Sequence, residues 1–375
     1  MSRLKQLHKF GQSPWYDNIE RGLLVSGRLQ EMINEDGISG ITSNPTIFEK
    51  AINGSKNYDA DIESLSKKGM DAGKIYDELT TWDIERAADI LLPVYRTSDH
   101  VDGFVSIEVS PHLAHDAEAT IAEAKRIYTR ISRANVLIKV PATKEGAEAV
   151  RRLTAAGINV NVTLIFSLSH YNEISQAYLR GLEDRVGKGL PVKNIHSVAS
   201  FFVSRIDTYV DRMLNDLMLK ERDEARIREM QGLAGRAAVA QAKIINDTYR
   251  RTFYGPQFLD LKSKGASIQR LLFGSTSTKN PSYSDVKYVE ELVGEGTINT
   301  LPQATVDAFR DHGVAKPALS EGLAEATEVM AKLQANGIVV EEVCQTIQDD
   351  GVAAFVSSYD KLLKSLEKKR SQFVS

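Results

Sequence analysis

A lysine interrupts an otherwise apolar run in VLIKVPATKEGAEAV, residues 136–150. Strands of a parallel sheet are buried on both faces and read as nearly continuous apolar segments. A lysine is rarely buried in one unless it is paired or functional. One reading takes the Lys139 amine to solvent at the strand's end. The other makes it a nucleophile, because desolvation disfavours an ammonium and frees its lone pair for Schiff-base chemistry. Parity along neighbouring strands favours the second. Alternate side chains of a strand share a face. In GFVSIEV, Phe104, Ser106 and Glu108 fall opposite Val105, Ile107 and Val109. In VLIKV, Leu137 and Lys139 fall opposite Val136, Ile138 and Val140. In INVNVTL, Asn159, Asn161 and Thr163 fall opposite Val160, Val162 and Leu164. Each segment thus has one apolar face and one that turns polar toward its C-terminal end.

Other residues bear on the same place. WYDNIER puts Asp17 just after an apolar start, where it suits either a helix N-cap or a general base. In ISGITSNPTIFEKAI, Asn44 before Pro45 suits an N-cap, and its amide could also hold a hydroxyl. HSVASFFVSRIDTYVD supplies Ser200 and, in a helix's first turn, Arg205. A cation there opposes the helix dipole, and a bound phosphate would relieve the conflict; a solvated arginine explains it equally well. GSTSTKNP offers Ser277 and Lys279 as a phosphate cradle or merely a polar turn before Pro281.

These residues need elements to hold them. Candidate strands are Pro14–Tyr16, Ile38–Thr42, Gly103–Glu108, Val136–Val140, Ile158–Thr163, Ile195–Val198, Ile268–Phe273 and Thr297–Thr300, with helical periodicity between most of them. Repeated βα units predict a parallel sheet. Eight of them predict a closed (β/α)₈ barrel, an α/β fold of about 250 residues, with the remainder of the 375 as extra helices. A doubly wound open sheet competes, but no GxGxxG follows the first strand. On the barrel reading the chain is one domain, 1–375, with a helical insertion at about 213–251 and a C-terminal helical extension at about 317–375. The polar faces then line the barrel's C-terminal mouth, where such folds place their active sites.

Composition narrows the chemistry. With 47 basic and 50 acidic residues the net charge is −3, so a nucleic-acid or membrane-surface partner has no electrostatic support. One cysteine excludes an internal disulfide and a cysteine-rich metal site. No apolar run spans a bilayer and no signal-peptide core opens the chain. A cytoplasmic protein without metal or cofactor is expected, and a homodimer is left open.

ITSNPTIFEKAI and VLIKVPATKEGAEAV resemble the two signatures of the transaldolases, and the likeness runs from about Asp17 to Pro302. It is nearest to the longer bacterial branch. The resemblance implies a class I aldolase-like barrel of the pentose phosphate pathway. Such enzymes move a dihydroxyacetone unit from sedoheptulose 7-phosphate to glyceraldehyde 3-phosphate, giving erythrose 4-phosphate and fructose 6-phosphate. By motif, Lys139 would form the Schiff base and Asp17 would take the proton of the C4 hydroxyl. Glu108 and Thr163 would move protons through a water. Asn44, Ser106, Asn161, Ser200 and Phe202 would surround the dihydroxyacetone unit, and Arg205, Ser277 and Lys279 would bind the phosphate of the sugar-phosphate substrate. Lys279 departs from the commoner arginine and offers a point charge rather than a fork. A fructose 6-phosphate lyase is the near competitor; that related group carries a glutamine and a tyrosine where this chain has Glu108 and Phe202. A catalytically silent sugar-phosphate-binding barrel is the competitor from another class.

Overall fold

The computed structural model describes residues 2–373; Met1, Val374 and Ser375, at the ends of the expected domain and extension, lie outside them. Eight parallel strands close in sequence order into one barrel. They are β1 (Ser13–Tyr16), β2 (Gly40–Ile41), β3 (Phe104–Glu108), β4 (Val136–Pro141), β5 (Val160–Ile165), β6 (Ser197–Phe202), β7 (Gln269–Gly274) and β8 (Ile298–Leu301). The (β/α)₈ expectation holds, and the open sheet is excluded because β8 pairs with β1 along its whole length.

Every strand differs from its expected bounds, by one residue at one or both ends in five of them and by two or more on at least one side in β2, β5 and β6. β2 keeps only two paired residues of the expected Ile38–Thr42. Its Gly40 lies under the Trp15 indole, where any Cβ would come within 2.4 Å of the ring. β5 ends two residues late, through a register shift between Val162 and Ile165 with Leu164 at φ +60°. β6 was expected at Ile195–Val198 and begins at Ser197. Asn194 stands in the left-handed region, and Asn159 Oδ1 accepts the His196 N–H, so sheet pairing starts after them. Ser200 and Phe202 are therefore strand residues rather than loop residues.

The interior is stratified. At the N-terminal end Arg270 donates to Asp102 Oδ1 at 3.1 Å, to Ser13 Oγ at 2.8 Å and to the Thr297 carbonyl at 2.9 Å. Trp15, Phe104, Leu137, Val198, Leu272 and Ile298 form an apolar plug above it. Such a plug is the packed core expected of this fold rather than a pore. The polar layer lies at the C-terminal mouth.

Three helices that follow barrel strands begin at a side-chain cap. Asn44 caps Pro45–Gly54, Thr143 caps Lys144–Ala155 and Ser167 caps Leu168–Gly187. Four helices, Ser204–Met218, Glu224–Leu233, Ala237–Phe253 and Pro256–Ser263, connect β6 to β7. After β8 come Gln303–His312, Leu323–Ala335 and the long Val340–Ser371. The last of these docks over the ends of β4 and β5: Gln348 Nε2 donates to the Ala142 and Leu164 carbonyls, both at 2.9 Å.

Candidate active site

Lys139 is the residue around which the mouth is organised. Its neighbours in register are Glu108 on β3 and Asn161 on β5. It is 3% exposed, and Nζ donates to the Ser43 carbonyl at 2.8 Å. Glu108 Oε2 lies 3.4 Å away, at ion-pair distance without forming an aligned hydrogen bond. Burial pushes the Glu108 carboxyl above its ordinary range, and the Lys139 charge only partly offsets this. That oxygen and Thr163 Oγ1 are both buried without partners.

A hydroxyl–amide chain runs beside the lysine. Ser200 Oγ donates to Asn161 Oδ1 at 2.7 Å, and Asn161 Nδ2 donates to Ser106 Oγ at 2.9 Å. Asn161 is fully enclosed, so its orientation is fixed from both sides. On the opposite wall Thr42 Oγ1 donates to Asp17 Oδ1 at 2.7 Å and lies 2.7 Å from Thr300 Oγ1. The Thr42 hydrogen is committed to Asp17, so Thr300 must be the donor in the second contact. Burial raises Asp17; the Thr42 hydrogen bond and the charges of Lys139 and Lys279 pull it back. Asp17 caps no helix, so that reading of it fails; its N–H extends the sheet pairing to the Leu301 carbonyl at 2.9 Å.

A cavity of about 580 Å³ opens over this floor. Asp17, Asn44, Lys139, Ser200, Phe202, Arg205, Ser277 and Lys279 all line it. Glu108, Thr163, Ser106 and Asn161 stand behind the wall rather than on it. Asn44 is both cap and wall: Oδ1 accepts the Ile47 N–H at 2.9 Å, which leaves its amide hydrogens for a ligand. Phe202 packs edge-on to Phe166, with ring centroids 5.5 Å apart. Arg205 is the second residue of Ser204–Met218, a helix whose first turn has no side-chain cap. Burial lowers Arg205 from its ordinary value. Burial, then the nearby Arg205 and Lys50 charges, lowers Lys279, whose Nζ donates to Ser277 Oγ at 2.7 Å. Cations crowded at an uncapped helix N-terminus make a site for a dianion.

Protein-family comparison matches residues 14–366 to the family described as transaldolase/fructose-6-phosphate aldolase. The chain belongs to this family. A transaldolase of Trichodesmium erythraeum is 44% identical over 370 residues, covering 98% of this chain and 97% of its own. Transaldolase 2 of a Nostoc species is 44% identical over 372 residues, 98% of each chain. The transaldolase of Mycobacterium tuberculosis is 43% identical over 363 residues, 96% of this chain and 95% of its own. Full-length likeness at this level makes the protein an enzyme of the transaldolase type. The match also runs past Pro302 and takes in most of the C-terminal helices.

Within this transaldolase-family barrel several lining residues were not singled out from the sequence. Thr42 stands two residues before Asn44 in the quoted motif, and its polarity is the available signal; Ser43 between them is buried and reaches the site only through the carbonyl that accepts Lys139. Thr300 follows Ile298 on the inward face of β8, but the opposite face carries Thr297 and Asn299, so the parity argument used for β3 to β5 does not single it out. Lys50 sits one helical turn and more beyond Asn44, on a helix whose direction the motif alone leaves open. Gly274 makes room for Phe202, whose ring carbons lie 3.3 and 3.4 Å from where its Cβ would be. Phe355 comes from the Val340–Ser371 helix, and no local pattern announces it.

Proposed function

We propose that this enzyme transfers a dihydroxyacetone unit from sedoheptulose 7-phosphate to glyceraldehyde 3-phosphate through a Schiff base on Lys139. That is the transaldolase step of the pentose phosphate pathway, run in the cytoplasm. The observation that carries it is a single buried amine at the floor of a polar cavity, beside a carboxyl that burial holds above its usual range. Lys139 attacks the donor's C2 carbonyl. Glu108, with Thr163 and a water, supplies the proton with which the carbinolamine loses hydroxide. Asp17 takes the C4 hydroxyl proton as the C3–C4 bond breaks, and the protonated imine accepts the electron pair. The enamine waits, held by Asn44 and Ser200, the latter oriented by Asn161 from behind the wall, until the acceptor aldehyde enters and the steps reverse. Excluding water and stray protons from that intermediate is what separates transfer from release.

Borohydride reduction in the presence of fructose 6-phosphate tests this. A covalent adduct of the dihydroxyacetone moiety should appear in the peptide containing Lys139. Its absence in an otherwise active enzyme would remove the Schiff base.

Arg205, with Ser277 and Lys279, is assigned to the phosphate. A charge-assisted contact of this kind contributes about 1.5–3 kcal/mol, or roughly 10–150-fold in binding. Arg205→Ala should weaken fructose 6-phosphate by that factor while changing fructose little. Equal losses for both sugars would make Arg205 structural.

Glu108 and Phe202 support transfer over simple lyase activity. Phenylalanine brings no proton donor to the imine, whereas a tyrosine hydroxyl could direct the catalytic water. Phe202→Tyr should raise release of free dihydroxyacetone relative to transfer, measured as initial rates on one preparation. An unpaired buried hydroxyl would cost about 1–3 kcal/mol of stability, visible in melting. An unchanged rate ratio in a folded variant would leave the ring as packing alone.

The chain is further read as one domain in which the helices at about 213–251 and beyond 317 are additions to the barrel. Among the described residues no helix is long and apolar enough to cross a membrane.

A further inference from the structure

The Ser204–Met218 helix carries more than Arg205. Ser204, Asp207 and Asp211 are spaced i, i+3 and i+7 along it, so they share one stripe. That stripe holds the segment after β7 at both ends. At the near end the Ser204 N–H donates to the Ser275 carbonyl at 3.2 Å, and the two hydroxyls lie 3.0 Å apart. At the far end Tyr288 OH donates to Asp207 Oδ2 at 2.8 Å, and Tyr283 OH donates to Asp211 Oδ2 at 2.7 Å. The remaining carboxylate oxygens accept the Ala238 N–H at 2.8 Å and the Gly235 N–H at 2.7 Å.

Ser277 and Lys279 lie between these two anchors. Asp207 is 1% exposed and is held by N–H and O–H donors alone. A buried carboxylate is expensive unless its hydrogen bonds are complete. The proposed reaction uses neither aspartate. Their geometry instead fixes one end of a loop whose other end is fixed by the same helix, and Arg205 of that helix lines the cavity with Ser277 and Lys279.

We propose that Asp207 and Asp211, through Tyr288 and Tyr283, are positioning residues that set the loop bearing Ser277 and Lys279 at phosphate-binding distance from Arg205. The proposal rests on the phosphate assignment made above, and the test separates the two. At saturating donor, kcat/KM is measured for D-glyceraldehyde 3-phosphate and for D-glyceraldehyde as acceptors, in Tyr288→Phe, Tyr283→Phe and Arg205→Ala. Each tyrosine variant deletes one oxygen. A misplaced loop should lower the ratio of phosphorylated to unphosphorylated acceptor roughly tenfold, through KM for the phosphorylated one. Arg205→Ala should lower the same ratio at least as far. Tyr288 is buried, so if its variant fails to fold, Tyr283→Phe at the half-buried end carries the test. Tyrosine variants that fold and lose both acceptors equally, or lose neither, while Arg205→Ala collapses the ratio, overturn the positioning role and leave the phosphate site intact. A ratio unmoved by Arg205→Ala overturns the phosphate assignment, and this proposal falls with it.

Discussion

Replacing Lys139 by alanine is expected to reduce transfer by on the order of 10⁴-fold or more, because the covalent route that supplies much of an enzyme's acceleration disappears. Two other amines line the cavity, and one is a chemical rival. Lys279 is pushed down by burial and by the Arg205 and Lys50 charges, which favours its neutral form. It sits at the rim against Ser277, however, whereas the Glu108 carboxyl lies beside Lys139. Lys50 is exposed. Borohydride should therefore still trap an adduct in Lys279→Ala and Lys50→Ala and trap none in Lys139→Ala. An adduct surviving in Lys139→Ala would move the nucleophile elsewhere.

The fold should survive that substitution with a loss of about 1–3 kcal/mol. Alanine deprives Glu108 of the one charge that lowers it, so its carboxyl rises further. A folded-state carboxyl raised above its unfolded value binds more protons folded than unfolded. The variant's stability should then fall as the pH rises through that window, more steeply than in the parent protein. Adding Glu108→Gln should flatten the dependence; a slope that persists would assign it to another group.

Much of this site is legible in the sequence, and for a particular reason. In β3, β4 and β5 a two-residue period meets a barrel that is apolar outside, so each inward polar side chain stands out. Lys139, Glu108, Asn161 and Ser106 were found that way, and they do meet. The same period failed at β6, where SVASFF is apolar or small on both faces and the strand start is set by Asn194 and Asn159 rather than by hydropathy. β2 gave no period at all, because two residues are too few to show one. Thr42 was hidden for that reason. Phe355 was hidden because its position depends on where a distant helix docks, and that docking is decided by Gln348 reaching two strand-end carbonyls. Parity also tells which face a side chain takes and not how deep it lies. Glu108, Thr163, Ser106 and Asn161 share the inward face with Lys139 yet stand one layer behind the cavity wall.

Asp17→Asn should slow carbon–carbon cleavage by about 10²–10⁴-fold, the usual worth of a positioned general base, while borohydride still traps the donor on Lys139. Retention of adduct with loss of cleavage separates this residue from the nucleophile. The pH dependence carries a sharper test. Asp17 and Glu108 are both raised by burial, so either could set the acid limb of kcat/KM. Only Asp17 touches Thr42. That hydroxyl stabilises the carboxylate form, and Thr300 in turn donates to it. Thr42→Val removes the hydrogen bond with little change in shape. The carboxylate loses support, its pKa moves up, and the acid limb should move to higher pH, with the rate recovering toward the parent plateau once Asp17 ionises. Thr300→Val should shift the limb in the same direction by less, since it weakens the donor at one remove. If the limb stays where it is in a folded Thr42→Val enzyme, Glu108 or another group governs it, and Asp17 is not the base whose ionisation cleavage requires.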